Sequence, residues 1–226
     1  GSGQQMTADI TVSAFAATVT AGSNYPNGLF KSIPMTGGNG TGMLMNLSVQ
    51  NGGVQPVGGV DSSEFVSVTS QYTVGDTLTG SIPLAGTQTF QVKSSLGNKY
   101  FIDGFLGGSF SLLKGKTYVF NLDDSTNDPH PMFISTTDAD TNTILDAADG
   151  VTYELDGSTV TGSQFLAGYF AANLRRITFA VPTNPANTTV YYGCSVHPNQ
   201  GGALTLTDPN SQQGGFSLVV DEVGGT

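Results

Sequence analysis

The sequence predicts an all-β protein, a small glycine-rich β domain followed by a Greek-key β-sandwich. Three observations carry that expectation. Charged residues make up only 11% of the 226, so the surface must be covered largely by Thr, Ser and Asn, residues of strands and turns. Thirty-one glycines and ten prolines cut the chain into short segments. Within several of those segments apolar residues recur at every second position, the period of a strand with one buried face.

In chain order, residues 1–5, "GSGQQ", have the composition of a cloning remnant, with Met6 as the natural start. The next stretch, "MTADITVSAFAATVTAGS", lacks the basic n-region of a secretory signal, and Thr and Ser interrupt its apolar residues. Residues 6–88 are expected to form the glycine-rich domain. In "GMLMNLSVQNGG", Met43, Met45, Leu47 and Val49 share one parity, which assigns the methionines to a buried strand face rather than to metal binding. Turn chemistry stands at Pro26-Asn27-Gly28, Gly37-Gly38, Asn51-Gly52-Gly53 and Val74-Gly75-Asp76.

Residues 89–208 are expected to form the sandwich. "SFSLLKGKTYVFNL" reads as a strand, a Lys114-Gly115 turn and a second strand with Tyr118, Phe120 and Leu122 on one face. "RRITFAVP" puts Ile177, Phe179 and Val181 together and stops at Pro182. "TTVYYGC" is a further strand. Long loops between such strands suit a Greek-key sandwich better than an open sheet. Residues 209–226 offer one more strand, Phe216 to Val220, after a Gly-Gly hinge, placed to cross back to the first domain.

Charge and composition exclude several function classes. A net charge of −10 argues against nucleic acid or an anionic membrane as the main partner. No apolar window is long enough for a membrane helix, so a soluble chain is expected. No Ser-His-Asp set, phosphate loop or paired acid and base is present, and an enzyme is not expected. "DADTNTILDAADG" copies the first alternating positions of a calcium loop at Asp138, Asp140 and Asn142. But Thr143 stands where the sharp-turn glycine belongs and no glutamate closes the loop, so it reads as a solvated acidic loop. Arg175-Arg176 reads as solvated or engaged in a local ion pair.

The chemistry concentrates at "YYGCSVHPNQGG". Val190, Tyr192 and Cys194 share a face, so the only thiol of the chain points inward at the end of a core-facing row, with His197 in the turn after it. Far upstream, "DPHPMFIS" sets His130 between two prolines at the start of an apolar strand that continues through Met132 and Ile134. Two imidazoles and a thiolate with a weak axial donor are the ligand set of a type 1 copper site. The competing reading keeps Cys194 as a small buried hydrophobe.

From about residue 96 to 207 the chain resembles the cupredoxins: a Gly115-centred turn in "LLKGKTYVF", a histidine after the next loop, and a Cys-x-x-His loop after a Val-Tyr-Tyr strand. The resemblance implies a cupredoxin-like sandwich holding one copper per chain through His130, Cys194 and His197. Many cupredoxins place an axial Met shortly after the second histidine. Gln200 stands there in this chain, and a glutamine is an alternative axial donor. Met132, of the same strand parity as His130, competes for that role. The glycine-rich first half, with "NYPNGLFKSIPMTGGNGTGMLMNLSVQNGG" and "YTVGDTLTG", resembles segments of structural proteins of marine tailed bacteriophages, cyanophages especially. Those virion proteins also carry domains ending like "YYGCSVHPNQGG", usually with Met in place of Gln200.

Two functions follow from these resemblances. One is a virion structural, decoration or tail-associated subunit whose sandwich binds copper, with other virion proteins or further copies of itself as partners. The other is a dedicated type 1 copper electron carrier. The extra glycine-rich domain and terminal strand favour the first, because electron transfer needs neither.

Overall fold

The computed structural model describes residues 17–21, 28–39, 44–50, 53–56, 73, 75–81, 84–95, 97–103, 105–209 and 215–220. Its strands are β1 (Ala17–Ala21), β2 (Gly28–Pro34), β3 (Thr36–Gly37), β4 (Leu44–Gln50), β5 (Gly53–Pro56) and β6 (Thr77–Ser81) in the first part of the chain. There follow β7 (Thr87–Ser95), β8 (Lys99–Ile102), β9 (Phe105–Leu106), β10 (Phe110–Leu113), β11 (Thr117–Asn121) and β12 (Met132–Ser135). The last are β13 (Val151–Leu155), β14 (Ser158–Val160), β15 (Arg175–Ala180), β16 (Thr189–Cys194), β17 (Gly202–Thr207) and β18 (Gly215–Val220). One short α-helix, α1 (Gly162–Gly168), sits between β14 and β15. The protein is all-β, as its composition predicts, and none of its described helices is long and apolar enough to cross a membrane.

Two sheets form the sandwich. One has seven strands in the order β14-β13-β15-β11-β7-β8-β9, the other four in the order β10-β17-β16-β12. A single apolar cluster lies between them, with Phe90, Tyr118, Phe120, Tyr153, Ile177 and Phe179 from the first sheet and Leu112, Ile134, Val190, Tyr192 and Leu204 from the second. The alternation read from the sequence holds in this half: Tyr118, Phe120, Leu122, Ile177, Phe179, Val190 and Tyr192 are all buried. β7 shows the strand period in full, with Gln88, Phe90, Val92 and Ser94 inside and their neighbours exposed. Buried tyrosines keep their hydroxyls paired: Tyr153 donates to Ile134 O, Tyr169 to Asn127 O and Tyr192 to Gly108 O.

The Lys114-Gly115 turn does more than join two strands. β10 pairs in parallel with β17, while β11 pairs with β7 and β15, so the turn carries the chain from one sheet to the other. Gly115 takes a positive φ of 77° there, and the Tyr118 hydroxyl accepts from Leu113 N across the bend. The chain returns at β12, crosses again at β13 and returns at β16, which is why long loops separate its strands.

The strand alternation does not predict α1, although the signal for its start stands in the sequence. Thr161 caps Gln164 N while the Gln164 side chain accepts from Thr161 N, a capping box. Phe165 of α1 and the following Tyr169 pack on each other, and Phe165 also packs on Tyr153. The acidic loop is structural: Asp140 and Asp146 cap two short 3-10 turns, accepting from Asn142 N and Ala148 N. Arg175 is buried, paired with Asp128 at 2.6 Å and stacked over Tyr169, so of the two readings of Arg175-Arg176 the ion pair holds.

β18 lies between β1 and β6, antiparallel to both, joining the end of the chain to strands from its first part. β2, β4 and β5 form a separate three-stranded sheet in which Gln50 pairs with Gly53. The burial of Met43, Met45, Leu47 and Val49 and the turn at Pro26-Asn27-Gly28 lie outside the described residues.

The parity of β7 has a direct test. Phe90→Ala is expected to cost about 3–5 kcal/mol in chemical denaturation, while Thr89→Ala on the exposed face changes stability by less than about 0.5 kcal/mol. Equal costs at the two positions would show that β7 does not line the core.

Candidate metal centre

The site forms where β12 and β16 run side by side. Their antiparallel register sets Met132 opposite Cys194 and Ile134 opposite Tyr192. One more bond, from Ser195 N to Pro131 O, extends the ladder past the last pair. His130, one residue before Pro131, is thereby held next to the loop that follows Cys194. Its own backbone is fixed twice: His130 N donates to Asn127 O, and its carbonyl accepts from the buried Tyr100 hydroxyl at 2.9 Å.

The loop from Ser195 to Gly201 folds back over the end of β16. Asn199 takes a positive φ of 60°, and its carbonyl accepts from the Lys99 amine. Val196 N donates to Cys194 Sγ at 3.5 Å, and His197 Nδ1 stands 3.7 Å from the same sulfur. Gly201 admits no side chain. A Cβ there would sit 1.9 Å from Tyr192 O and 2.9 Å from Gly193 Cα, so the loop closes only because this residue is glycine.

His130, Cys194 and His197 thus come together, each offering a ligand atom within 4.8 Å of the others. The two imidazole rings lie 4.6 Å apart at 47°. Cys194 and His130 are buried, and His197 is half-buried at the rim beside the exposed Val196. Burial holds the His130 imidazole below its usual pKa. The neighbouring His197 adds to this, and the Gln200 side chain beside the ring works against it. A neutral imidazole is the form that binds a metal ion. Nδ1 of His130 is buried without a hydrogen-bond partner, an unusual state for a polar atom and a suitable one for a ligand. Burial also keeps the Tyr100 phenol well above its usual pKa, and nearby Cys194 raises it further.

Both axial candidates border this cluster. Met132 is fully buried on the strand opposite Cys194. Gln200 is also buried, with Nε2 donating to Ser94 Oγ at 3.1 Å. Ser94, Asn127 and Tyr100, which surround the ligands, had no sequence signal of their own beyond Ser94's inward parity on β7.

No protein-family model matches the chain, and neither does any curated protein. Among solved structures it is similar to a reduced rusticyanin at 12% identity, over 54% of this chain and 79% of that one, with a TM-score of 0.33.

The tight closure at Gly201 predicts that Gly201→Ala lowers stability by about 2 kcal/mol and separates His197 from Cys194. Thermal denaturation reads the first effect. Loss of tight binding of a thiophilic divalent ion by the metal-free protein reads the second. A variant with unchanged stability and metal affinity would show that the loop does not depend on this contact.

Proposed function

We propose that the chain binds one copper ion through His130, Cys194 and His197, with Gln200 as the axial donor, in a type 1-like centre. The observation that carries this reading is the approach of two imidazoles and one thiol to within 4.8 Å of one another, around a buried, unpaired Nδ1. The residues fit the ion. A soft thiolate and two imidazoles select copper over hard cations, and among the described residues no carboxylate belongs to the cluster. When bound, copper would supply a one-electron couple.

The chain's own residues supply the rest. The β12–β16 ladder holds Cys194 on a strand and His130 in the loop just before β12, and the Val196 amide donates to the sulfur. Tyr100 fixes the His130 backbone, and the packed side chains of Met132, Tyr100 and Tyr192 keep water from the inner side. Such preorganisation lets the donors keep their places in both oxidation states.

The wider role we propose is that of a binding module within a virion structural subunit. The resemblance of the glycine-rich first half supports it. So does β18, which ties the chain's end into a sheet that carries none of the proposed ligands. A dedicated electron carrier is the alternative, favoured by the half-buried His197 at the rim.

Metal analysis and a visible spectrum of protein purified with copper test the centre. One copper per chain is expected, with a strong thiolate-to-copper band in the oxidised protein. At a thousandfold excess over Kd, copper should stabilise the fold by about 4 kcal/mol, a rise of roughly 8–16 °C in Tm. Cys194→Ser should lose the band; a variant that keeps both band and stabilisation would remove Cys194 from the centre. Voltammetry separates the axial candidates. Gln200→Met should raise the reduction potential, since a thioether favours Cu(I) over an amide oxygen, and the volume-conserving Met132→Leu should barely move it. The reverse pattern would give the axial role to Met132. For the subunit reading, sedimentation of the full chain should show self-association, and a monomer at high concentration would rule out assembly through its own copies.

A further inference from the structure

We propose that Ser94 and Asn127 are positioning residues that decide which end of the Gln200 amide faces the His130–Cys194–His197 cluster. They turn its carbonyl oxygen toward the site and its NH2 group away. The inference rests on the copper reading for its consequence, though not for the hydrogen bonds that produce it.

The argument is one of donors and acceptors. Asn127 is completely buried, and its Nδ2 reaches two main-chain carbonyls, Val92 O at 2.7 Å and Leu122 O at 3.4 Å. Carbonyl oxygens only accept, so the amide end facing them must be the NH2 group, and the other end must be oxygen. That oxygen, Oδ1, lies 2.9 Å from Ser94 Oγ. An amide oxygen also only accepts, so the Ser94 hydroxyl spends its single proton on it. What remains to Ser94 Oγ is a lone pair, which meets Gln200 at 3.1 Å. A lone pair demands a donor, so the near end of the Gln200 amide is Nε2 and the far end is Oε1. The polarity of two backbone carbonyls is thus passed through three side chains to the site, over sequence separations of 33 and 106 residues.

The far end has a function only if something meets it. Oε1 is buried, Gln200 is 1% exposed, and its amide lies beside the His130 ring, whose Nδ1 is also buried. An amide oxygen held beside the His130 ring accepts from the imidazole N–H in the metal-free fold, and the same lone pair is the end a cation requires. Reversing the amide would present two N–H donors to the site and set Nε2's replacement oxygen against the Ser94 lone pair. The relay excludes that orientation. Asn127 also ties the relay to the ligand itself, because its backbone oxygen accepts from His130 N and from the Tyr169 hydroxyl. A single residue therefore fixes the backbone of one ligand and the amide sense of the neighbouring side chain.

Ser94→Ala removes the relay's middle while leaving every cluster residue in place, and Ser94→Thr restores the hydroxyl. In the metal-free protein, the side-chain amide protons of Gln200, followed by NMR, should exchange with solvent at least about tenfold more slowly in the wild type than in Ser94→Ala, with Thr restoring the protection. Equal exchange in wild type and Ser94→Ala overturns the relay. With Cu(II) bound, Ser94→Ala should shift the reduction potential and the copper hyperfine pattern, and Ser94→Thr should return both to the wild-type values. Unchanged potential and spectrum in Ser94→Ala overturn the claim that the relay acts on the site. Should the wild type take up no copper, the copper reading fails, and the amide exchange still decides the orientation.

Discussion

The antiparallel ladder between Met132–Ser135 and Thr189–Cys194 is the constraint on which the site depends. Without it His130 and His197 belong to loops 67 positions apart in sequence, with nothing local to hold them together. Pairing fixes the register, and the register fixes everything at its end: Cys194 opposite Met132, Ser195 against Pro131, and His130 just beyond. A slip of one residue would turn the thiol to the other face of the sheet. Both strands lie in the four-stranded sheet whose inner face packs on the large aromatic side chains of the seven-stranded sheet, so the register is held by core packing as well as by hydrogen bonds.

The surroundings of the cluster are polar in a directed way. Tyr100, Tyr169 and Tyr192 bury their rings near Cys194, and each hydroxyl ends on a main-chain oxygen: His130 O, Asn127 O and Gly108 O. These bonds satisfy buried groups and at the same time brace the loops that carry the ligands. At the cluster itself the Gln200 amide is set beside the buried His130 ring, where it works against the effect of burial on the imidazole.

Glycine sets the limits of this arrangement. Gly201 runs against the backbone of Tyr192 and Gly193, and a Cβ at Gly202 would stand 2.5 Å from Gly108 C and O. The chain after the proposed ligands is thus pressed between β16 and the segment that leads into β10. That contact buries Gln200 under Ser94, and it makes the Gly-Gly pair a requirement of packing as much as of turn geometry.

Much of this was legible in the sequence, and what was legible was local. A period of two placed Tyr118, Phe120, Ile177, Phe179, Val190, Tyr192 and Cys194 on buried faces, because successive side chains of a strand alternate whatever it pairs with. The scarcity of Cys and His singled out His130, Cys194 and His197, and the structure brings the three together. The capping box at Thr161 and Gln164 was equally local and marks α1 as surely as the alternation marks the strands. Partner choice was not local. Nothing in "LLKGKTYVF" tells a hairpin from a crossing between sheets, since the same turn serves both, and only the pairing of β10 with β17 and of β11 with β7 decides it. Nor could the sequence show that Asn127, Ser94 and Gln200 form one chain of hydrogen bonds. Each is an ordinary polar residue in its own segment, and their donor and acceptor ends acquire meaning only when the sheets bring them within bonding distance. The residue types that fit a metal were therefore set by the sequence, while the order of their hydrogen bonds, and so the face each one presents, was set by the tertiary structure.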